Sequence, residues 1–442
     1  MNAPASGPAE PRRVLVLGAY GLIGSGVARH LRAAGHHVSG LGRSDATARR
    51  VLPHTRWIIR DMATLLAAAD WLPVVEGHDT VVNCAGALQD GPRDQLQAIH
   101  ADAVAALAEA CRQKSVRLVQ ISAAGVSDQA STSFFRTKAA GDAAIRAAGG
   151  DFTILRPGLV LAPTAYGGTT LLRMLAAFPA VQPIALPDTL LRTVSLSDLA
   201  LAVEKAATGE LGTGETIDLV EERPHTLSAI VAGMRKWLGF APARLQITMP
   251  PAVTRLVSSG ADALGLLGWR SPLRSTAIAV MQDGVDGEPA RWRALTGRAV
   301  SSFEQTLASM PARSEDRIAA RMALAMPFAV AALFILWAVS GVVGFLRVDA
   351  ASGVLTAGGW PDGLARASVL FWSAVDIALA MLILIRRYAA RACLAMAGVS
   401  LVYLAAASLF TPWLWADPLG SLVKIVPIIV LALVTSAMLQ ER

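Results

Sequence analysis

Cysteine is scarce: Cys84, Cys111 and Cys393 are the only three in 442 residues, and no two of them form a CxxC pair. That argues against a disulfide scaffold. None of the three stands at ligand spacing to any of the seven histidines, so no metal site is expected. Charge is thin as well. Only 17% of residues are charged, against about 25% in average soluble domains, while 54% are hydrophobic and the mean hydropathy is +0.47. Such a chain is too apolar to be soluble throughout. The basic excess is modest, 40 Lys and Arg against 33 Asp and Glu, and it gathers beside the apolar segments. That pattern reads as orientation on a lipid bilayer, not as a nucleic-acid-reading block. Tyrosine is the last scarcity: Tyr20, Tyr166, Tyr388 and Tyr403 are the only phenols available to any acid–base chemistry.

The charges that exist lie almost entirely in residues 1–320, whereas 322–439 hold long apolar runs. Residues 1–12, short and proline-rich without an apolar core, read as a disordered leader and not as a signal peptide. Residues 13–250 read as one α/β domain with a smaller substrate-side lobe, and 251–320 as an amphipathic connector close to the bilayer. Residues 321–442 then carry four apolar segments, Ala323–Leu346, Ala367–Ile385, Ala392–Phe410 and Leu422–Leu439. A spanning helix needs about 20 residues, so an all-α four-helix transmembrane domain is expected. Four spans put Arg313, Arg317, Arg321, Arg386, Arg387, Arg391 and Arg442 on one side, with Arg347, Arg366 and Lys424 opposite. The positive-inside rule then places the large domain and both termini in the cytoplasm, on a multi-pass inner-membrane protein. Trp413 and Trp415 read as interface anchors, and Asp376 is an ionisable residue in mid-span, with Ser373 three residues earlier.

In the first domain, a strand at Val14–Leu17 meets glycines, and then an apolar helical period runs through Leu22, Ile23, Val27 and Leu31 before a second strand. Further alternation follows: a helical stretch at Met62–Val75, strands at Thr80–Cys84, Arg117–Ser122 and Phe152–Arg156, and helices at Gln95–Gln113 and Lys138–Ala148. This predicts a Rossmann-type doubly wound parallel sheet. Helices at Ser197–Thr208 and Leu227–Leu238 around a strand at Thr216–Val220 are assigned to the smaller lobe.

Gly18, Gly21 and Gly24 form GxxGxxG directly after a strand and at a helix start. A tight turn, close backbone approach to a pyrophosphate and a helix N-terminus together define a dinucleotide cradle, in which Tyr20, Leu22 and Ile23 also take part. Arg43 stands where an NAD site usually presents an acid, and a guanidinium suits a 2′-phosphate. NADP is therefore favoured, with NAD left open because Asp45 could take the acidic role.

GAYGLIG, IIRDM, VVNCAGAL, VQISAAG, FFRTKAAGD and LRPGLVL together resemble the extended or atypical short-chain dehydrogenase/reductase family, of the NAD-dependent epimerase/dehydratase kind, over about residues 13–310. The resemblance implies that Asp61 lies near the adenine and that Asn83, Ala85, Gly86 and Pro157 line the cofactor. It further implies that Ser122 is the catalytic serine and that Lys138 holds the nicotinamide ribose. SEDRIAARMALAMPF, LWAVSGVVG and WADPLGSLVKIVPIIV resemble the DoxX-like membrane domain fused to such reductases.

One departure stands out. The family's YxxxK pattern uses a tyrosine to move the proton, and here Phe134 precedes Lys138 by four residues. Tyr166 is the one alternative phenol near the expected site. Two functions remain open on the sequence. One is a membrane-anchored oxidoreductase acting on a hydrophobic or quinone-like acceptor. The other is a non-catalytic NADPH-binding sensor or scaffold of a membrane redox complex. Oligomeric state is not legible.

Overall fold

The computed structural model describes residues 10–91 and 95–440; residues 1–9 of the expected leader and Arg442 lie outside them. The chain divides into two units: residues up to 259 with 272–316, and residues 260–271 with 317 onward. The expected connector is therefore split between them.

The first unit is built on seven strands. Six are β1 (Arg13–Leu17), β2 (His37–Gly42), β3 (Arg56–Ile59), β4 (Thr80–Asn83), β5 (Arg117–Ile121) and β6 (Phe152–Pro157). The seventh, Glu215–Leu219, lies parallel beside β6. This corrects the assignment of that strand to the smaller lobe: it completes the edge of the main sheet, with Ile217 and Leu219 fully buried in its core. All the pairings are parallel, and β1 lies between β4 and β2, so the order reverses there. Such a reversal opens a crevice at the carboxyl ends of the strands.

Period-two alternation fixes which side chains face which layer. Val14 and Val16 of β1 join Val82, Val119 and Leu155 on one face, covered by α1 (Leu22–Ala33) and the helix Leu196–Thr208. Leu15 and Leu17 join Val81, Leu118 and Ile154 on the other face, covered by α3 (Ala68–Val75) and α4 (Ala103–Gln113). Each fully buried leucine or valine contributes about 1.5–3 kcal/mol, so a charge at Leu15 or Val16 would abolish the layer.

Two helices depart from the sequence reading. Met62–Val75 is not continuous: the Asp61 side chain caps a 3₁₀ turn at Met62–Thr64, and α3 starts separately at Ala68. α5 (Ser133–Ala148) begins five residues before Lys138, because the Thr132 hydroxyl accepts the Phe135 N–H and sets the N-terminus there. The remaining helix of this set, α2 (Asp45–Val51), is capped by Ser44.

The second unit is helical. Ser314–Leu346, Asp362–Leu384 and Arg386–Phe410, with 33, 23 and 25 residues, are each long and apolar enough to cross a membrane. The fourth apolar segment forms the helix Ile425–Gln440, only 16 residues long. The expected start at Leu422 is lost because the chain turns through Gly420 at φ +66° and Leu422–Lys424 stay in the turn. A short helix, Val348–Ala357, which the sequence reading lacked, fills the first connection.

Leu333, Trp337, Ile383, Cys393, Met396, Ala432 and Leu439 form the core of this unit. Arg386 donates to the Leu439 carbonyl at 2.8 Å and Ser436 to the Ala390 carbonyl at 2.9 Å, which sets the last two helices antiparallel. The outer face stays apolar, with Phe328, Leu346, Phe371 and Leu409 exposed. Trp413 and Trp415 sit exposed on the 3₁₀ turn Pro412–Ala416.

Candidate functional site

The glycine motif closes on itself at the end of β1. Gly18 has φ +66°, and a Cβ there would lie 2.9 Å from the Ala85 Cα on the chain leaving β4. At Gly24 a Cβ would come within 2.3 Å of the Gly18 carbonyl oxygen, and at Gly21 within 3.2 Å of the same atom. Gly21 is the N-cap of α1 and brings no side chain to it, so the amides of the first turn, at Leu22 and Ile23, are left for an anion. The turn thus sits at the strand-order reversal with an uncapped helix aimed over it, and these residues fit a dinucleotide pyrophosphate.

The ends of β2 and β3 form the neighbouring part. A cleft of about 400 Å³ is lined by Arg43, Ser44, Ile59, Arg60 and Asp61. Tyr20 reaches from the glycine loop to this side. Its ring covers Gly42, where a Cβ would be only 2.3 Å away, and its hydroxyl accepts the Arg43 N–H at 3.1 Å. Asp45, the alternative acid, instead pairs with Arg49 at 2.8 Å along α2. Asp61 remains in the cleft and accepts the Ala63 N–H at 3.1 Å.

Beyond β4 the chain is shaped by buried polar groups. Asn83, fully buried, donates to Gln120 at 2.9 Å and accepts the Ala85 N–H at 3.1 Å. Next, the His100 Nε2 accepts the Ala87 N–H at 3.1 Å, which puts the ring proton on Nδ1 and toward the Thr137 hydroxyl at 3.0 Å. Thr137 in turn donates to the Ser133 carbonyl at 2.8 Å. Burial, and then the Lys138 charge, hold the His100 pKa down to about 2, so the ring is neutral. His100 lies in a π-helical segment, Ala98–Asp102, a departure that recurs at functional sites. Gly141 of α5 lets this segment approach, since a Cβ there would fall 2.0 Å from the His100 carbonyl oxygen.

Phe134 and Lys138 stand one turn apart on α5. The Phe134 ring meets His100 edge-on at 5.7 Å, and the Lys138 Nζ lies 5.7 Å from its centroid. Lys138 is buried, donates to the Ile121 carbonyl at 3.1 Å, and has its pKa lowered to about 8 by desolvation. A Cβ on Gly86 would sit 3.9 Å from that nitrogen, so the β4 loop and the lysine are brought together. Burial pushes the neighbouring Cys84 thiol up to about 12, which keeps it protonated.

Ser122 takes a different position. Its hydroxyl donates to Asp142 at 2.9 Å, and the fully buried Asp142 carboxylate also receives Arg156 at 2.8 Å. The serine proton is thus engaged in the seam between β5 and α5. Pro157 ends β6, with its carbonyl accepting the Ala124 N–H at 2.9 Å. Tyr166 is 62% exposed on a loop.

His100, Thr137, Asp142 and Arg60 were not singled out from the sequence. Asp142 carried a signal, four residues after Lys138 on the same helix face; His100 and Thr137 carried none.

The fold and this site define a class, an NAD(P)H-binding Rossmann domain joined to a DoxX-like helical domain. Residues 18–174 match the NAD(P)H-binding family and residues 334–433 the DoxX-like family. Among curated proteins, the chain is 25% identical to a ceramide reductase of Caulobacter vibrioides over 250 residues, 54% of this chain and 75% of that one. Among solved structures, the enzyme WbmG of Bordetella bronchiseptica, in complex with NAD and UDP, is 18% identical with a TM-score of 0.51, covering 68% of this chain and 93% of its own. A putative epimerase from Burkholderia cenocepacia is 19% identical with a TM-score of 0.52, covering 71% and 100%. These likenesses to solved structures show the Rossmann-type fold of the first unit and go no further.

Proposed function

We propose that the chain is a membrane-anchored, NADPH-dependent reductase of a hydrophobic lipid ketone, with Lys138 in charge of the proton that a tyrosine would otherwise supply. The observation that carries this reading is the buried Lys138 ammonium packed beside Phe134 and the β4 loop. The bound cofactor, when reduced, supplies a hydride. Gly18, Gly21 and Gly24 seat its diphosphate on the α1 N-terminus. Arg43 and Arg60 meet the adenosine side, where two guanidiniums favour a 2′-phosphate. Lys138 holds a proton for the carbonyl oxygen. His100 holds the Ala87 amide and so fixes the loop that carries Gly86.

The three long apolar helices support a membrane-spanning chain, and the arginine distribution supports a cytoplasmic reductase domain, with both termini on that side if Ile425–Gln440 crosses as well. The likeness to a ceramide reductase supports a ceramide-like substrate over a quinone.

A second reading is favoured by one specific pair of facts: Phe134 has no hydroxyl, and the Ser122 hydroxyl is engaged with Asp142. On that reading the domain binds NADPH without turning it over. The experiment that separates the two is NADPH oxidation by the full chain in lipid nanodiscs, offered a ceramide-like ketone, small aldehydes and a quinone. The reductase reading expects oxidation with the lipid ketone. It also expects slow aldehyde reduction that Phe134→Tyr accelerates, since a positioned acid is worth about 10²–10⁴ in rate. Binding with no oxidation for any acceptor, in wild type and in Phe134→Tyr, would establish the binding module.

A further inference from the structure

The apolar bundle contains a polar cluster that the cofactor chemistry does not use. Asp376, in the middle of the helix Asp362–Leu384, is 4% exposed. Its Oδ1 accepts the Tyr403 hydroxyl at 2.7 Å and its Oδ2 accepts the Ser340 hydroxyl at 2.8 Å. Each of the three long helices thus contributes one member. Close helix approach makes this reachable: a Cβ at Gly341 would lie 2.7 Å from the Ser373 carbonyl oxygen, and at Gly344 2.1 Å from the Ser373 hydroxyl.

Trp337 stands one turn before Ser340, is 3% exposed, and stacks on Tyr403 with ring centroids 6.4 Å apart. Its indole N–H has no hydrogen-bond partner among the described residues. Trp372 closes on Tyr403 from another side at 5.3 Å. A buried donor left unpaired is costly, and an ionisable residue inside a bilayer is costly too. Helix-to-helix cement accounts for Ser340 and Tyr403, but not for the idle indole.

We propose that this cluster is a binding site for a lipid bearing a hydroxyl or amide group, entering from the bilayer side where Ser340 is exposed. This rests on the reading of the chain as a membrane-spanning reductase of a lipid. A carboxylate has about four acceptor positions, and two are filled. With the indole N–H nearby, the cluster offers both an acceptor and a donor against aromatic walls. A group that both donates and accepts satisfies the pair. A bare ketone would leave the carboxylate unused, and a cation would leave the indole unused. Ceramide-class lipids carry a hydroxyl and an amide side by side, so the site selects the substrate class inside the membrane.

The test is photo-crosslinking of the full chain in nanodiscs with a ceramide carrying a diazirine close to its amide, and mapping of the label by mass spectrometry. Label is expected on peptides containing Trp337–Gly344, Phe371–Asp376 and Tyr403. Unlabelled ceramide should compete, or diacylglycerol if the hydroxyl alone is read, and phosphatidylcholine should not. Asp376→Asn should lower labelling about tenfold and Trp337→Phe several-fold, as expected for losing a charged and a neutral hydrogen bond. Should Asp376→Asn fail to fold, Trp337→Phe decides, because it keeps an aromatic ring beside Tyr403 and removes the donor together with the pyrrole half of the indole. Label spread evenly over the bundle, equal competition by phosphatidylcholine, or labelling unchanged in Trp337→Phe overturns the site. NADPH oxidation is read in the same samples. Lipid reduction without selective labelling overturns this site alone, whereas selective labelling without lipid reduction overturns the reductase reading and leaves the site standing.

Discussion

Raising the pH should switch the reductase off through Lys138. Desolvation lowers the pKa of this buried ammonium from 10.5 to about 8, against opposing pulls from Asp142 and Cys84. About nine-tenths of the chains then carry the proton at pH 7 and about one-tenth at pH 9. If the ammonium is the donor, kcat/KM for the lipid ketone should fall about tenfold between pH 7 and 9. Stability runs the other way. Below about 8 both the folded and unfolded chains hold the proton; between about 8 and 10.5 the unfolded chain holds more, so stability rises with pH across that window. The displacement amounts to about 3 kcal/mol at most. Lys138→Met should therefore abolish the alkaline limb and lower kcat/KM by about 10²–10⁴, yet stabilise the fold at pH 7. Lys138→Arg, which keeps its charge far above pH 9, should flatten the limb at whatever activity survives. The assay is NADPH oxidation in nanodiscs from pH 6 to about 9.5, with thermal unfolding on the same samples. A profile flat across that range, or full activity in Lys138→Met, would refute the assignment.

Other expectations follow from the cradle and the charge pattern. Gly24→Ala should abolish NADPH binding in calorimetry, because its Cβ would lie 2.3 Å from the Gly18 carbonyl and force the turn open. Arg43→Glu should weaken NADPH by about 10- to 100-fold, the worth of a charge-assisted hydrogen bond, and leave NADH within a few-fold; equal losses for both cofactors would count against NADP. A reporter fused after Arg442 should read as cytoplasmic, and an exported reading would mean that the 16-residue helix Ile425–Gln440 does not cross.

The Rossmann sheet was legible because its signals are local. The alternation in β1, the glycines at 18, 21 and 24, and the apolar period of α1 each follow from a few adjacent residues. The strand Glu215–Leu219 was misplaced because its neighbour, β6, lies some sixty residues earlier and nothing in its own composition names that partner. The site divides in the same way. Phe134 and Lys138 were readable as an i, i+4 pair on one helix. The His100–Thr137 link joins residues 37 apart, and the Ser122–Asp142 bond joins residues 20 apart. Both depend on how α5 docks against β5 and the π segment, which no local period encodes. The last apolar segment was overlong in the sequence because hydropathy does not register that Gly420 turns the chain ahead of Ile425.

The most direct test of the reductase account is the fate of the hydride. NADPH carrying deuterium at the transferable position of the nicotinamide C4 should be incubated with the full chain in nanodiscs and a ceramide-like ketone, and the lipid analysed by mass spectrometry. The account predicts one deuterium on the new carbinol carbon, and none with the Lys138→Met or Gly24→Ala chains over the same interval. Tight NADPH binding with no deuterium in any lipid product would contradict it.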